Sequence, residues 1–70
     1  MKQGALVYDE RAGRYRVRFG LNEWSDELKC GQYLEVWVKG RWGPTRVEMG
    51  EDWLLVGVCD GDLSGLRVRI

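Results

Sequence analysis

The sequence predicts an all-β domain, a small barrel of five to six antiparallel strands. Three observations point there. Apolar residues recur with period two, and no segment carries the 3.6-residue stripe of an amphipathic helix. Ten glycines and one proline punctuate the chain, which suits many tight turns. Six short alternating runs follow one another at that spacing, and closing such runs into a barrel or two-sheet roll removes exposed edges.

The first strand is expected over roughly Gly4 to Asp9, where Leu6 and Tyr8 alternate with Ala5 and Val7. Glu10-Arg11-Ala12-Gly13 reads as a turn, with Gly13 free to take positive φ. Arg14 to Phe19 alternates most regularly: Tyr15, Val17 and Phe19 on one face, Arg14, Arg16 and Arg18 on the other, a strand with one wet side. Gly20 to Glu27 is a polar loop carrying Trp24, and Ser25 is placed to cap one short helical turn ending at Leu28. Gly31 marks a bend. Tyr33 to Lys39 is the next strand, with Leu34, Val36 and Val38 opposite Tyr33, Glu35 and Trp37.

Lys39 to Pro44 is a Gly-rich turn holding Trp42, and Thr45 to Met49 a short strand with Val47 inward. Gly50-Glu51-Asp52 is a hairpin turn. Trp53 to Cys59 is apolar on both faces and reads as the most buried strand. Asp60-Gly61-Asp62 is a turn, and Leu63-Ser64-Gly65 a single 3₁₀ turn. Leu66 to Ile70 is the last strand, with Leu66, Val68 and Ile70 inward and Arg67 and Arg69 outward.

Seventy residues make one domain, residues 1–70. A chain this short buries only about 60% of its unfolded surface. Its eight large aromatic rings therefore matter for stability. With 44% hydrophobic and 31% charged residues the composition is globular rather than disordered. Met1 to Tyr8 lacks the long apolar core of a signal peptide, and Trp53 to Cys59 is far too short to span a bilayer. A cytoplasmic protein with no membrane partner is the expectation.

Catalysis finds no constellation to rest on. No histidine is present for general base work or to partner Cys30 or Cys59 as nucleophile. The same two thiols form no C-x-x-C pair and complete no zinc site without carboxylates; both are expected reduced and mostly buried. Paired carboxylates at Asp9-Glu10, Asp26-Glu27, Glu51-Asp52 and Asp60/Asp62 each lie at or beside a turn, where acids are ordinary. Neither enzymatic activity nor any cofactor or metal is expected.

Charge is unevenly spread although the total is zero. Residues 1–19 carry +3, residues 20–65 carry −5 and residues 66–70 carry +2. Were the terminal strands adjacent, Arg14, Arg16, Arg18, Arg67 and Arg69 would form one basic face fit to track a phosphate backbone. The alternative is a solvated face offset by neighbouring acids, and a pI near 6.2 lacks the basic excess of a nucleic-acid binder.

Trp53 opens the most apolar strand and is expected in the core. Trp37 shares a face with Tyr33 and Glu35, while Trp24 and Trp42 sit in polar, Gly-flanked loops. These three tryptophans are either lids over the barrel ends or an exposed patch that marks a partner site.

Two resemblances add to this reading. ALVYDE at Ala5 to Glu10 resembles the ALYDY signature of SH3 domains, and DELKCGQYLEVW at Asp26 to Trp37 their diverging turn and second strand. Leu63 to Ile70 would match their 3₁₀ turn and final strand. The resemblance implies an SH3-like small barrel and carries over Tyr8 as a ligand-facing aromatic. The paired Trp and the Pro-x-x-Tyr of that family's peptide groove are missing, and Arg14 to Phe19 is an additional strand.

The second covers nearly the whole chain: Gly4-x-Leu6-x-Tyr8, Gly13-x-Tyr15, Leu28-x-Cys30-Gly31, Leu34-x-Val36, Arg46-x-Glu48, Trp53-x-Leu55 and Gly65-Leu66-x-Val68-Arg69. This order is similar to a family of small uncharacterised proteins, a domain of unknown function carried by phages and mobile elements of Gram-positive bacteria. It implies an SH3-like barrel and that genomic setting, with no activity assigned.

The expected function is a non-catalytic protein-interaction module. Trp24, Tyr33, Trp37 and Trp42 are its anchors, with Tyr8 next, and a mobile-element accessory protein engaging a host factor fits the resemblance. The alternatives are a nucleic-acid-binding accessory protein using the Arg face, and a self-associating module whose aromatic patch is buried against its own copy.

Overall fold

A computed structural model describes residues 1–60 and 62–70, with Cys59 and Asp60 described by their backbone alone. Period-two alternation becomes strand, and no helix occurs among the described residues, so none is long and apolar enough to cross a membrane. The segments are β1 (Gln3–Asp9), β2 (Arg14–Gly20), β3 (Glu23–Trp24), β4 (Tyr33–Val38), β5 (Arg41–Met49), β6 (Trp53–Leu55), β7 (Cys59–Asp60) and β8 (Arg67–Arg69). They form one antiparallel sheet in the order β3-β2-β1-β8-β4-β5-β6-β7.

The sheet is open: β3 and β7 stand at its two ends, and the expected closure into a barrel is not seen among the described residues. The free edge of β2 shows why. The segment after β3 already takes its hydrogen bonds, Ser25 N–H to the Val17 carbonyl (2.8 Å) and Leu28 N–H to the Tyr15 carbonyl (2.9 Å). The Ser25 hydroxyl accepts from Val17 N–H and donates to the Asp26 carbonyl, so it extends β2 rather than capping the helical turn expected there.

Side chains draw the curled sheet together instead. The Trp53 indole on β6 donates to the Gly13 carbonyl in the β1–β2 turn at 2.8 Å, and the Tyr15 hydroxyl accepts from Leu63 N–H at 3.1 Å. The inner face is dry, with Leu6, Val17, Val36, Leu55, Leu63 and Val68 all buried. Gly4 lies on this face where β1 and β2 touch. A Cβ there would stand 2.4 Å from the Arg18 carbonyl oxygen and 2.6 Å from Val17 Cγ1, so only glycine permits the approach.

Three expected elements change. The Gly-rich turn at Lys39 to Pro44 contracts to Lys39-Gly40, both at positive φ (53° and 78°), the two-residue hairpin whose twist matches the flanking strands. Trp42 therefore belongs to a strand, and Pro44 sits where β5 has only β4 as a ladder neighbour, an edge that tolerates proline. The strand expected over Trp53 to Cys59 stops at Leu55, because Gly57 turns the chain at φ +75° and Val56 faces solvent. Leu63 to Leu66 closes as a β-turn with Gly65 at φ +87°, not as a 3₁₀ turn. The turn expected at Asp60-Gly61-Asp62 centres on Gly61, outside the described residues.

Candidate interaction surface

The outer face is set by register. Ala5 stands opposite Arg18 on one side and Arg67 on the other, and Arg18 stands opposite Trp24. The β4–β8 pairs Glu35–Arg69 and Val36–Val68, carried on by one residue, put Trp37 beside Arg67, and Trp37 stands opposite Trp42. One row thus runs across six strands: Trp24, Arg18, Ala5, Arg67, Trp37, Trp42.

Trp37 and Trp42 meet edge-on with centroids 5.3 Å apart. The Arg69 guanidinium lies 4.4 Å from the Trp42 ring centre while its Nε donates to Glu35 Oε1 at 2.5 Å. At the far end of the row Arg18 lies 5.3 Å from the Trp24 ring centre and donates to the Gly20 and Leu21 carbonyls. Each arginine gains from the ring's negative face and holds the ring in place.

Tyr8 and Trp24 come together in a second feature. A groove of about 590 Å³ is walled by Val7, Tyr8 and Trp24, with Asp9, Glu10, Arg11 and Arg16 around it. Tyr8 is fixed by an edge-on contact with Tyr15, centroids 5.1 Å apart. Arg16 is clamped beside this groove by Asp9 (2.8 Å) and Glu27 (3.3 Å). The hydrogen bond from Arg16, followed by the Ala12 amide, holds the Asp9 carboxyl below its usual range, and the same bond raises the Arg16 guanidinium.

The expected anchors therefore fall into two groups, Tyr8 with Trp24 and Trp37 with Trp42. Tyr33 stands apart, opposite Arg46 at the start of β4. Tyr8 is 41% exposed, Trp24 46%, Trp37 40% and Tyr33 74%, while Trp42 is half-buried. Trp24 and Trp37 are thus surface groups rather than lids, Trp42 is intermediate, and Trp53 is buried as expected.

The five arginines do not form one free basic face. The terminal strands β1 and β8 are adjacent as expected, but Arg16 and Arg69 are each paired with carboxylates. Arg14 lies over the Trp53 ring at 5.3 Å, and Lys2 pairs with Glu23. Among the described residues Arg14, Arg18 and Arg67 carry no carboxylate partner, and of these Arg18 and Arg67 lie on the row. Sequence reasoning missed the Glu35–Arg69–Trp42 stack. All three residues are outward on their strands, but only the adjacency of β8 and β4 brings them together.

No group of three metal-ligating side chains forms among the described residues. Cys30 corrects one expectation: its thiol is free and exposed, 3.3 Å from Glu48 Oε2, because Gly31 turns the chain outward there. That contact, followed by Arg46, lowers the Glu48 carboxyl.

A family model described as a domain of unknown function, DUF5348, matches residues 4–70. The chain belongs to that family. Among solved structures, this DUF5348 domain is similar to a crystal structure of a protein from Ruminococcus gnavus, 48% identical over 99% of this chain and 100% of that one, with a TM-score of 0.90. No curated protein matches the chain. The resemblance to a small family described as a domain of unknown function is met by the DUF5348 match.

Proposed function

We propose that this DUF5348 domain is a non-catalytic protein-interaction module acting through the outer face of its sheet. One observation carries the reading: Trp24 and Trp37 stay exposed on that face although a chain this short has few large rings to bury, and Trp24 walls a groove with Tyr8. Exposed aromatic surface is costly in water, and aromatic anchors dominate interface energetics. An SH3-like description of the curled sheet accords with ALVYDE on β1. The setting we propose with it is a cytoplasmic accessory protein of a phage or mobile element that engages a host factor.

The test is capture of a partner from host lysate, with and without nuclease, by the intact domain and by Trp24→Ala and Trp37→Ala. The reading expects nuclease-resistant capture that either variant weakens while its Tm stays within a few degrees of the parent. Capture that survives both substitutions, or that vanishes with nuclease, overturns it. The nucleic-acid reading stands second, because Arg16 and Arg69 already hold carboxylates and leave few cations for a phosphate backbone.

A further inference from the structure

Resting on the protein-interaction reading, we propose that the partner presents an extended acidic segment. It lies across the strands from Trp24 to Trp37, with carboxylates on Arg18 and Arg67.

The shape of the row sets the occupant's length. Trp24 on β3 and Trp37 on β4 are separated by four interstrand steps, about 19 Å at the usual strand spacing. About six extended residues cover that distance. Ala5, the smallest side chain of the row, sits at its centre between Arg18 and Arg67. The surface is therefore a shallow saddle with a cationic middle and an aromatic ring at each end.

Charge sets the occupant's sign. Every other cation bordering the saddle is matched: Lys2 by Glu23, Arg16 by Asp9 and Glu27, Arg69 by Glu35. Arg18 donates only to carbonyl oxygens and rests on the Trp24 ring, and Arg67 is exposed with no ion pair among the described residues. Arginine presents a planar fork that suits a carboxylate.

An acidic protein segment fits better than a nucleic acid. Base stacking needs open ring faces. Arg18 covers one face of Trp24 and Arg69 one face of Trp42, which also meets Trp37 edge-on. Two arginines without an ion pair on the row are also few for a phosphate backbone. A short segment with a few carboxylates and an apolar residue at each end matches what is exposed.

The probe is a blocked seven-residue peptide with Leu at both ends and Glu between, compared with the same peptide carrying Gln and with an oligo-dT of seven nucleotides. Two-dimensional NMR follows the indole signals of Trp24 and Trp37 and the guanidinium signals of Arg18 and Arg67. The Glu peptide is expected to shift all four. Arg67→Gln and Arg18→Gln each weaken it about tenfold, the loss of one charge-assisted hydrogen bond; Lys29→Glu, off the row, does not.

Equal binding of the Glu and Gln peptides, no binding of either at millimolar concentration, or tighter binding of oligo-dT overturns the proposal. So does a concentration-dependent dimer that Arg67→Gln abolishes, which would assign the saddle to a second copy. Partner capture that needs Trp37 but not Arg67 sinks this inference alone. Absence of any nuclease-resistant capture by the intact domain sinks the module reading beneath it.

Discussion

The inner and outer faces of the sheet treat tryptophan in opposite ways. Trp53 on β6 is buried at 6%, its indole N–H bonded to the Gly13 carbonyl and its ring under Arg14. Trp37 on β4 keeps 40% of its surface in water and touches Trp42 by an edge. Both sit on alternating strands, and both have an arginine close by. Position relative to the curl makes the difference: the inner face has one shared interior to fill, and the outer face has none. A large ring stabilises the fold in the first place and stays exposed in the second, where the proposed function gives it a partner.

Truncation of Trp53 is the sharpest way to test that contrast. Trp53→Ala is expected to cost about 3–5 kcal/mol, from lost packing plus an orphaned carbonyl at Gly13. Small domains have total stabilities of that order, so urea titration should find the variant largely unfolded. A cost below about 1 kcal/mol would break the comparison. Gly4→Ala comes next. Its added carbon meets backbone and a buried valine, and about 1–3 kcal/mol of overpacking should appear as a lower urea midpoint with unchanged slope. Trp37→Ala should cost only about 1 kcal/mol, chiefly the cross-strand contact with Trp42; a loss as large as that of Trp53→Ala would make Trp37 structural.

The smallest expected effect is on pH dependence. Asp9, Glu48 and Asp62 are all lowered in the folded state, by the Arg16 bond, the Cys30 contact and the Ser64 amide respectively. A lowered carboxyl binds its proton less readily when folded. Its contribution is therefore complete above the unfolded value near 3.8–4.5 and is lost as pH falls through the folded value. Tm should be flat from about pH 7 to pH 5 and fall below about pH 4, with a shallower fall in Asp9→Asn. A Tm that rises on acidification would contradict these contacts.

Much of this was legible along the chain. Alternation alone puts Tyr15, Val17, Leu34, Val36, Val47 and Val68 on the inner face, and all are buried. Gly13, Gly31 and Gly65 fall at turns and carry positive φ. The exposed aromatics are visible in the sequence but their grouping is not, because Tyr8 meets Trp24 through a groove and Trp37 meets Trp42 through strand register. Extents failed where a short-range signal had two meanings. Glycines near Trp42 suggested a long loop, yet two residues sufficed for the hairpin, and the apolar run after Trp53 concealed a turn at Gly57.

Alternation and turn chemistry are local, so the strand class, the inward residues and the aromatic surplus outside the core can be read along the chain. Three features were left to the tertiary structure. The insertion of β8 between β1 and β4 put Arg67 beside Ala5 and Arg69 beside Glu35. The Ser25–Leu28 segment occupied the free edge of β2 and kept the sheet open. Cross-strand register decided which arginines are neutralised. The β8 insertion depends on pairing between residues far apart in sequence and the other two on contacts across loops, where loop closure and the burial of a common interior outweigh any local preference.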